Sequence, residues 1–183
     1  MNLVFVGSPA SGKTTTAAML FAQLKENQYA VEWVPEYARL YIARKRASSF
    51  DSTLTLNDLD QRSIQFVQFG WEEDLFNPFP GQERISISDS WSVNALLYME
   101  HVNRLSRSRA LLAKHLAHHV FYCPPLKDKI SDQDPNRVHN RKLSLQIDKK
   151  VKPLMNDLGI KFHTLTGKPF ARVSQIINVI GLK

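Results

Sequence analysis

A chain of 183 residues, 43% of them hydrophobic, carries enough apolar material for one well-buried core and little for two. Its one cysteine, Cys123, excludes an internal disulfide, and no apolar run reaches the ~20 residues of a membrane-spanning helix. The formal net charge of +7 points to polyanionic partners such as nucleoside triphosphates, phosphorylated substrates or nucleic acid, without choosing among them.

The N-terminus runs from Met1 through Asn2-Leu3-Val4-Phe5-Val6 straight into a glycine loop. It shows neither the basic flank nor the cleavage site of a secretory leader, so a cytoplasmic location is expected. Residues 3–6 form a short apolar run ending at that glycine, and from Lys13 to about Glu26, Ala17, Leu20, Phe21 and Leu24 recur at spacings of three and four, which makes the opening strand, loop, helix. A second apolar run, 30–34, ends at Pro35. Glu36-Tyr37-Ala38-Arg39 follows, and Leu40, Ile42 and Ala43 predict a helix there. Residues 48–55 are polar and predict a loop. Asn57 or Asp58 is placed to cap a long helix through Leu59, Ile64, Phe66, Val67 and Trp71, stopped by Asn77-Pro78-Phe79-Pro80-Gly81.

Residues 84–88 alternate as a strand and end at Asp89, residues 110–116 predict a helix, and 120–123 a fourth strand closed by Pro124-Pro125. Cys123, at the end of that apolar run, reads as a small core residue. A polar, charged stretch fills 126–140, helical spacing returns over 143–158, 161–165 is a fifth strand, and 173–180 a closing helix. Strands alternating with helices imply one α/β domain over 1–183: a parallel sheet with right-handed crossovers and helices on both faces.

Gly7-Ser8-Pro9-Ala10-Ser11-Gly12-Lys13-Thr14 matches G-x-x-x-x-G-K-[ST] between a strand and a helix, the context this phosphate-binding loop requires. Its glycines let backbone N–H groups face phosphates, the helix N-terminus adds partial positive charge, and Lys13 reaches the terminal phosphates of ATP. Thr15 completes the nucleotide contacts, and the Thr14 hydroxyl is a magnesium ligand.

Ligands of parallel sheets lie beyond the carboxyl ends of the strands, where Glu36 and Asp89 both fall. Asp89 is assigned to the magnesium shell, against the alternative of a helix cap. Glu36 is assigned to accept the proton of an attacking hydroxyl or to bind acceptor hydroxyls, against a plain ion pair with Arg39. Phosphoryl transfer also calls for a movable basic segment over the phosphates. The polar segment about 124–142 is read as that lid, with Arg137 contacting the transferred group and Arg141 in support. Trp33, Tyr37, Tyr41, Phe66, Phe69, Trp71 and Trp91 read mostly as core, and among them Trp91, two residues beyond Asp89, is the one to test as a platform for stacking a base. His115 and His119 lie four apart without an evident third ligand, and read as ordinary boundary histidines.

With Gly7–Thr14, Glu36-Tyr37-Ala38-Arg39, Ile87-Ser88-Asp89-Ser90 and the late Asp134-x-x-Arg137 assembled, the chain resembles the ribosylnicotinamide kinase domain of the bacterial bifunctional NAD-biosynthesis regulator and its small stand-alone P-loop relatives. The resemblance implies a P-loop NTPase three-layer sandwich of five parallel strands in the order 2-3-1-4-5. It also implies an ATP- and magnesium-dependent kinase acting on a nicotinamide riboside-like nucleoside. A kinase acting on a hydroxyl in DNA or RNA, and an accessory ATPase or nucleotide switch, stay open beside it.

Overall fold

A computed structural model describes residues 1–48, 55–77, 83–126 and 141–182. The expected loop over 48–55, the turn cluster at 77–81 and the polar stretch 126–140 fall largely outside the described residues.

The chain runs β1 (Asn2–Val6), α1 (Lys13–Glu26), β2 (Val31–Val34), α2 (Tyr37–Ala47), α3 (Asp58–Phe76) and β3 (Ile85–Ser88). A 3-10 helix (Ser92–Tyr98) leads to α4 (Arg104–Leu116), β4 (His119–Tyr122), α5 (Arg141–Asp157), β5 (His163–Thr164) and α6 (Pro169–Ile180). The five strands form one sheet in the order β2-β3-β1-β4-β5, parallel throughout. This is the three-layer P-loop NTPase arrangement that the resemblance implies.

β1 is the centre of the sheet, and all five of its residues are buried. Successive side chains of a strand point to opposite faces, and the two cores divide accordingly. Leu3 and Phe5 join Ala17, Leu20 and Leu24 of α1 and Val173 and Ile176 of α6. Val4 and Val6 join Phe76 of α3, Ala110 and Ala113 of α4, and Ile147, Val151 and Met155 of α5. A continuous apolar run is what a strand covered on both faces requires. β3 departs from that rule on one face only. Ile85 and Ile87 enter the α1–α6 core, whereas Ser86 and Ser88 turn toward α3, where Ser86 Oγ donates to the Leu75 carbonyl at 2.8 Å.

α3 begins with a capping box: Asn57 Oδ1 accepts from Asp60 N at 3.0 Å, and Asp60 Oδ2 accepts from Asn57 N at 2.9 Å. Its buried side carries Gln61, Gln65, Gln68 and Glu72 beside Ile64, so the helix presents a polar stripe to the interior. α4 starts at Arg104, a turn and a half ahead of the expected residue 110, because Asn103 caps it by accepting from Ser106 N at 2.8 Å. β4 starts and ends one residue early, and β5 keeps only two residues of the expected five. The 3-10 helix was not expected: Ser92-Val93-Asn94-Ala95-Leu96-Leu97 is buried all round and carries no helical or strand period. Among the described residues no helix is long and apolar enough to cross a membrane.

Candidate active site

The loop between β1 and α1 is fixed by close backbone approach. At Gly7, with φ of 152°, a Cβ would come within 2.4 Å of the Cys123 carbonyl oxygen at the end of β4, so only glycine passes. Gly12, at φ 82°, forms the N-cap of α1. Thr16 Oγ1 donates to the Gly12 carbonyl at 2.8 Å, securing the first turn. Lys13 Nζ folds back across the loop and donates to the carbonyls of Gly7 and Ser8 at 2.9 and 2.8 Å.

Two helices hold this loop from behind. Ser144 of α5 donates to the Pro9 carbonyl at 2.6 Å. Arg172 of α6 donates through Nη1 to the Ser11 carbonyl and through Nη2 to the Pro124 carbonyl at 2.8 Å. Ser8 and Ser11 are fully buried, and Gly7 with residues 9–15 lines an open cavity shared with Glu36, Arg39, Gln68, Trp91, Asn94 and Tyr98.

Asp89 reaches the same place from β3. Its N–H donates to the Val34 carbonyl at 3.1 Å and Trp91 N donates to the Phe5 carbonyl at 3.3 Å, which draws the exit of β3 against the ends of β2 and β1. Asp89 is 3% exposed. Burial pushes its carboxyl up to about 6 and the negative charge of Glu36 adds to the rise, while Lys13 and the Thr14 hydroxyl oppose it. Its Oδ1 is buried without a hydrogen-bond partner, an arrangement that costs free energy unless a cation or donor meets it. Among the described residues no three His, Cys, Asp or Glu side chains gather. A magnesium ion fits here in the manner of a phosphate-bound ion, with Asp89 and Thr14 as the protein's contribution and substrate phosphates supplying much of the rest.

Glu36 is the N-cap of α2, and its Oε2 accepts from Arg39 Nε at 2.9 Å. The pair is solvent-accessible, with side chains 24% and 49% exposed, so it contributes only about 0–1 kcal/mol to stability. The ion pair weighed from the sequence is therefore present, and the carboxylate lines the cavity at the same time. Arg141 is the exposed first residue of α5. Arg137 and most of the expected lid lie outside the described residues.

Trp91 departs from expectation. It is 1% exposed and packs in the core with Val4, Val34 and Leu97, so it offers no ring face for a base to stack on. Its indole Nε1 is buried without a partner, as is Oδ1 of Asn94; both residues line the cavity. Asn94 is fixed in orientation because its Nδ2 donates to the Phe5 carbonyl and to Ser90 Oγ at 3.1 and 3.2 Å.

Three further residues escaped the sequence reading. Glu72, fully buried, accepts at Oε1 from Ser88 Oγ and from Ser92 N, both at 2.9 Å, and so braces the chain on either side of Asp89. Burial pushes its carboxyl up to about 7 against the pull of those hydrogen bonds. Gln68, one turn earlier, accepts from Tyr37 N at 2.8 Å and orients the segment after Glu36. Arg172 is the third. Their helical phase is the available signal: Gln61, Gln65, Gln68 and Glu72 share the face of Ile64, and Arg172 lies four before Ile176.

The sequence model of a family described as AAA domain matches residues 2–172. No curated protein matches the sequence. Among solved structures, NadR protein in complex with NR superposes with a TM-score of 0.69 at 17% identity over 100% of this chain and 52% of that one. This chain thus spans about half of that protein's length. YorR protein from Bacillus subtilis, in complex with phosphorylated GDP, gives 0.54 at 14% identity over 99% and 96% of the two chains. Chaetomium thermophilum Kti12 in complex with ADP-AlF3 gives 0.51 at 18% identity over 99% and 97%. At these identities the likeness is one of fold, and it includes the protein named by the resemblance in the sequence.

Proposed function

We propose, for a chain that belongs to the AAA domain family, an ATP- and magnesium-dependent kinase that transfers the γ-phosphate to a hydroxyl of a nucleoside-like acceptor. The observation that carries this reading is one cavity lined by Gly7 and residues 9–15 of the loop together with Glu36, Asn94 and Trp91, beside which Asp89 lies buried within hydrogen-bond reach of Thr14. The first set suits a nucleotide, and the second suits a polar acceptor that meets the unpartnered Trp91 Nε1 and Asn94 Oδ1. The neighbours solved with NR and with phosphorylated GDP support an acceptor of that chemical kind.

In this reading the loop amides and Lys13 hold the terminal phosphates, and Thr14 and Asp89 hold magnesium, which supplies charge neutralisation along the phosphates. Glu36 accepts the hydroxyl proton as the acceptor oxygen bonds to the γ-phosphorus, and the bond from that phosphorus to the β–γ bridging oxygen breaks to release ADP. Arg137, with Arg141 beside it, is proposed to cover the phosphates from the segment about 124–142, in a protein of one domain that works in the cytoplasm.

The test is incubation with γ-labelled ATP and separate pools of nucleosides, nucleotides and DNA. Label in the nucleoside pool is the expected result, and a nicotinamide riboside-like nucleoside is the first single compound to try. The net charge of +7 favours a second reading, transfer to a hydroxyl in DNA or RNA, which label in the polynucleotide pool would establish instead. Release of labelled phosphate with no acceptor labelled would point to an accessory ATPase or switch.

A further inference from the structure

Arg172 is 1% exposed and sits in the first turn of α6 (Pro169–Ile180), a turn that carries no acid. Among the described residues no carboxylate pairs with it. Its guanidinium is instead committed to two backbone carbonyls, those of Ser11 in the phosphate loop and Pro124 beyond β4. A buried cation held only by neutral acceptors is costly to fold around. The placement raises that cost, because the N-terminus of α6 and the N-terminus of α1 both present partial positive charge nearby. The two helix ends are close: the side chain of Pro169 lies 3.6 Å from where a Cβ on Gly12 would stand, and Arg172 Nη1 lies 3.4 Å from it. Three positive features around one point form a strained arrangement in the absence of an anion and a favourable one in its presence.

The carbonyl that Arg172 grips belongs to the peptide whose other end is the N–H of Gly12. A charged donor on the carbonyl polarises that peptide and strengthens the hydrogen bond its N–H can give. The Gly12 amide belongs to the backbone that cradles β- and γ-phosphates in loops of this kind. We infer that Arg172 is a positioning residue of the nucleotide site, which fixes and polarises the Ser11–Gly12 peptide from behind and supplies buried positive charge for the β- and γ-phosphates. The inference rests on the reading of the loop as a nucleotide site.

Dissociation constants for ADP, AMP and a non-hydrolysable ATP analogue, measured by calorimetry on the full chain, separate this role from a purely structural one. Circular dichroism and melting without nucleotide check the fold of each variant. Loss of charge-assisted hydrogen bonding in Arg172→Met is expected to weaken ADP and the ATP analogue about tenfold or more, and AMP, which lacks those phosphates, less than about threefold. Arg172→Lys keeps the charge with fewer donors and is expected to lose about threefold on ADP with AMP unchanged. Equal loss on ADP and AMP, or no loss on either, overturns the inference in whichever of the two variants retains the native spectrum. If Arg172→Met does not fold, Arg172→Lys decides by the same criterion. A wild-type protein that binds none of the three nucleotides would instead remove the reading of the loop itself.

Discussion

Lys13 rests on the carbonyls of Gly7 and Ser8, half-buried at the mouth of the loop, and no core side chain depends on it. Lys13→Ala is therefore expected to leave the circular dichroism spectrum unchanged and to lower phosphoryl transfer by at least about a hundredfold, the scale on which removal of a positioned charge stabiliser acts. Near-wild-type turnover would end the assignment of the loop. Glu36 stands differently, because its carboxylate both pairs with Arg39 and faces the cavity. Glu36→Gln is expected to cut turnover by about a hundred- to ten-thousandfold, the range of general-base assistance, with the dissociation constant for ATP unchanged. A lowered melting temperature with transfer intact would leave only the ion pair as its role.

At the level of elements, α3 is unusual in presenting Gln61, Gln65, Gln68 and Glu72 to the interior. From that stripe Glu72 accepts from the hydroxyl of Ser88 in β3 and from the backbone N–H of Ser92, tying the helix to the chain around Asp89. Glu72 rises from 4.5 to about 7 on folding, chiefly through burial. A carboxyl raised in the folded state contributes its stability below pH 4.5 and loses it as pH climbs through about 7. Glu72→Gln keeps an acceptor for Ser88 and Ser92 while removing the buried charge. It is expected to be more stable than wild type at pH 8, by up to about 3 kcal/mol, with the difference vanishing toward pH 4 to 5. Urea melts at the two pH values measure this, and an equal or larger destabilisation at pH 8 would refute it.

The same elements explain what was legible in the sequence. β1, the loop and α1 were readable to within about a residue, because the motif fixes the loop and Ala17, Leu20 and Leu24 mark one face. Asp89 and Glu36 were readable because parallel topology puts strand ends together. Glu72 and Arg172 were not, since a charged residue on an apolar helix phase ordinarily reaches solvent, and only tertiary contacts with Ser92 and Ser11 reverse that expectation. The 3-10 helix was hidden for a related reason: burial on every side erases the periodicity that would announce it.

For the whole molecule, a net charge of +7 draws any polyanion at low ionic strength, so retention on DNA is weak evidence for a polynucleotide substrate. Any binding to DNA is expected to fall by orders of magnitude between about 50 and 200 mM salt, while transfer to a nucleoside acceptor, held in the cavity by directed hydrogen bonds, changes far less. A filter-binding titration beside the kinase assay compares the two, and parallel salt dependence of both would favour the polynucleotide reading.

The central position of β1 also sets the order in which the protein can be made. Asn2–Val4 pair with Ser86–Ser88 and Leu3–Val6 with His119–Tyr122, and the Gly7 turn is packed against the Cys123 carbonyl. Of the five strands, the one synthesised first is thus among the last to find both its neighbours. At the usual pace of synthesis it waits on the order of ten seconds or more, with an apolar ribbon unprotected. Until the fourth strand emerges, the nucleotide loop has nothing to lean on, so ligand cannot rescue an early misstep. Chaperone demand in this chain should therefore concentrate on β1 rather than on the loop that follows it.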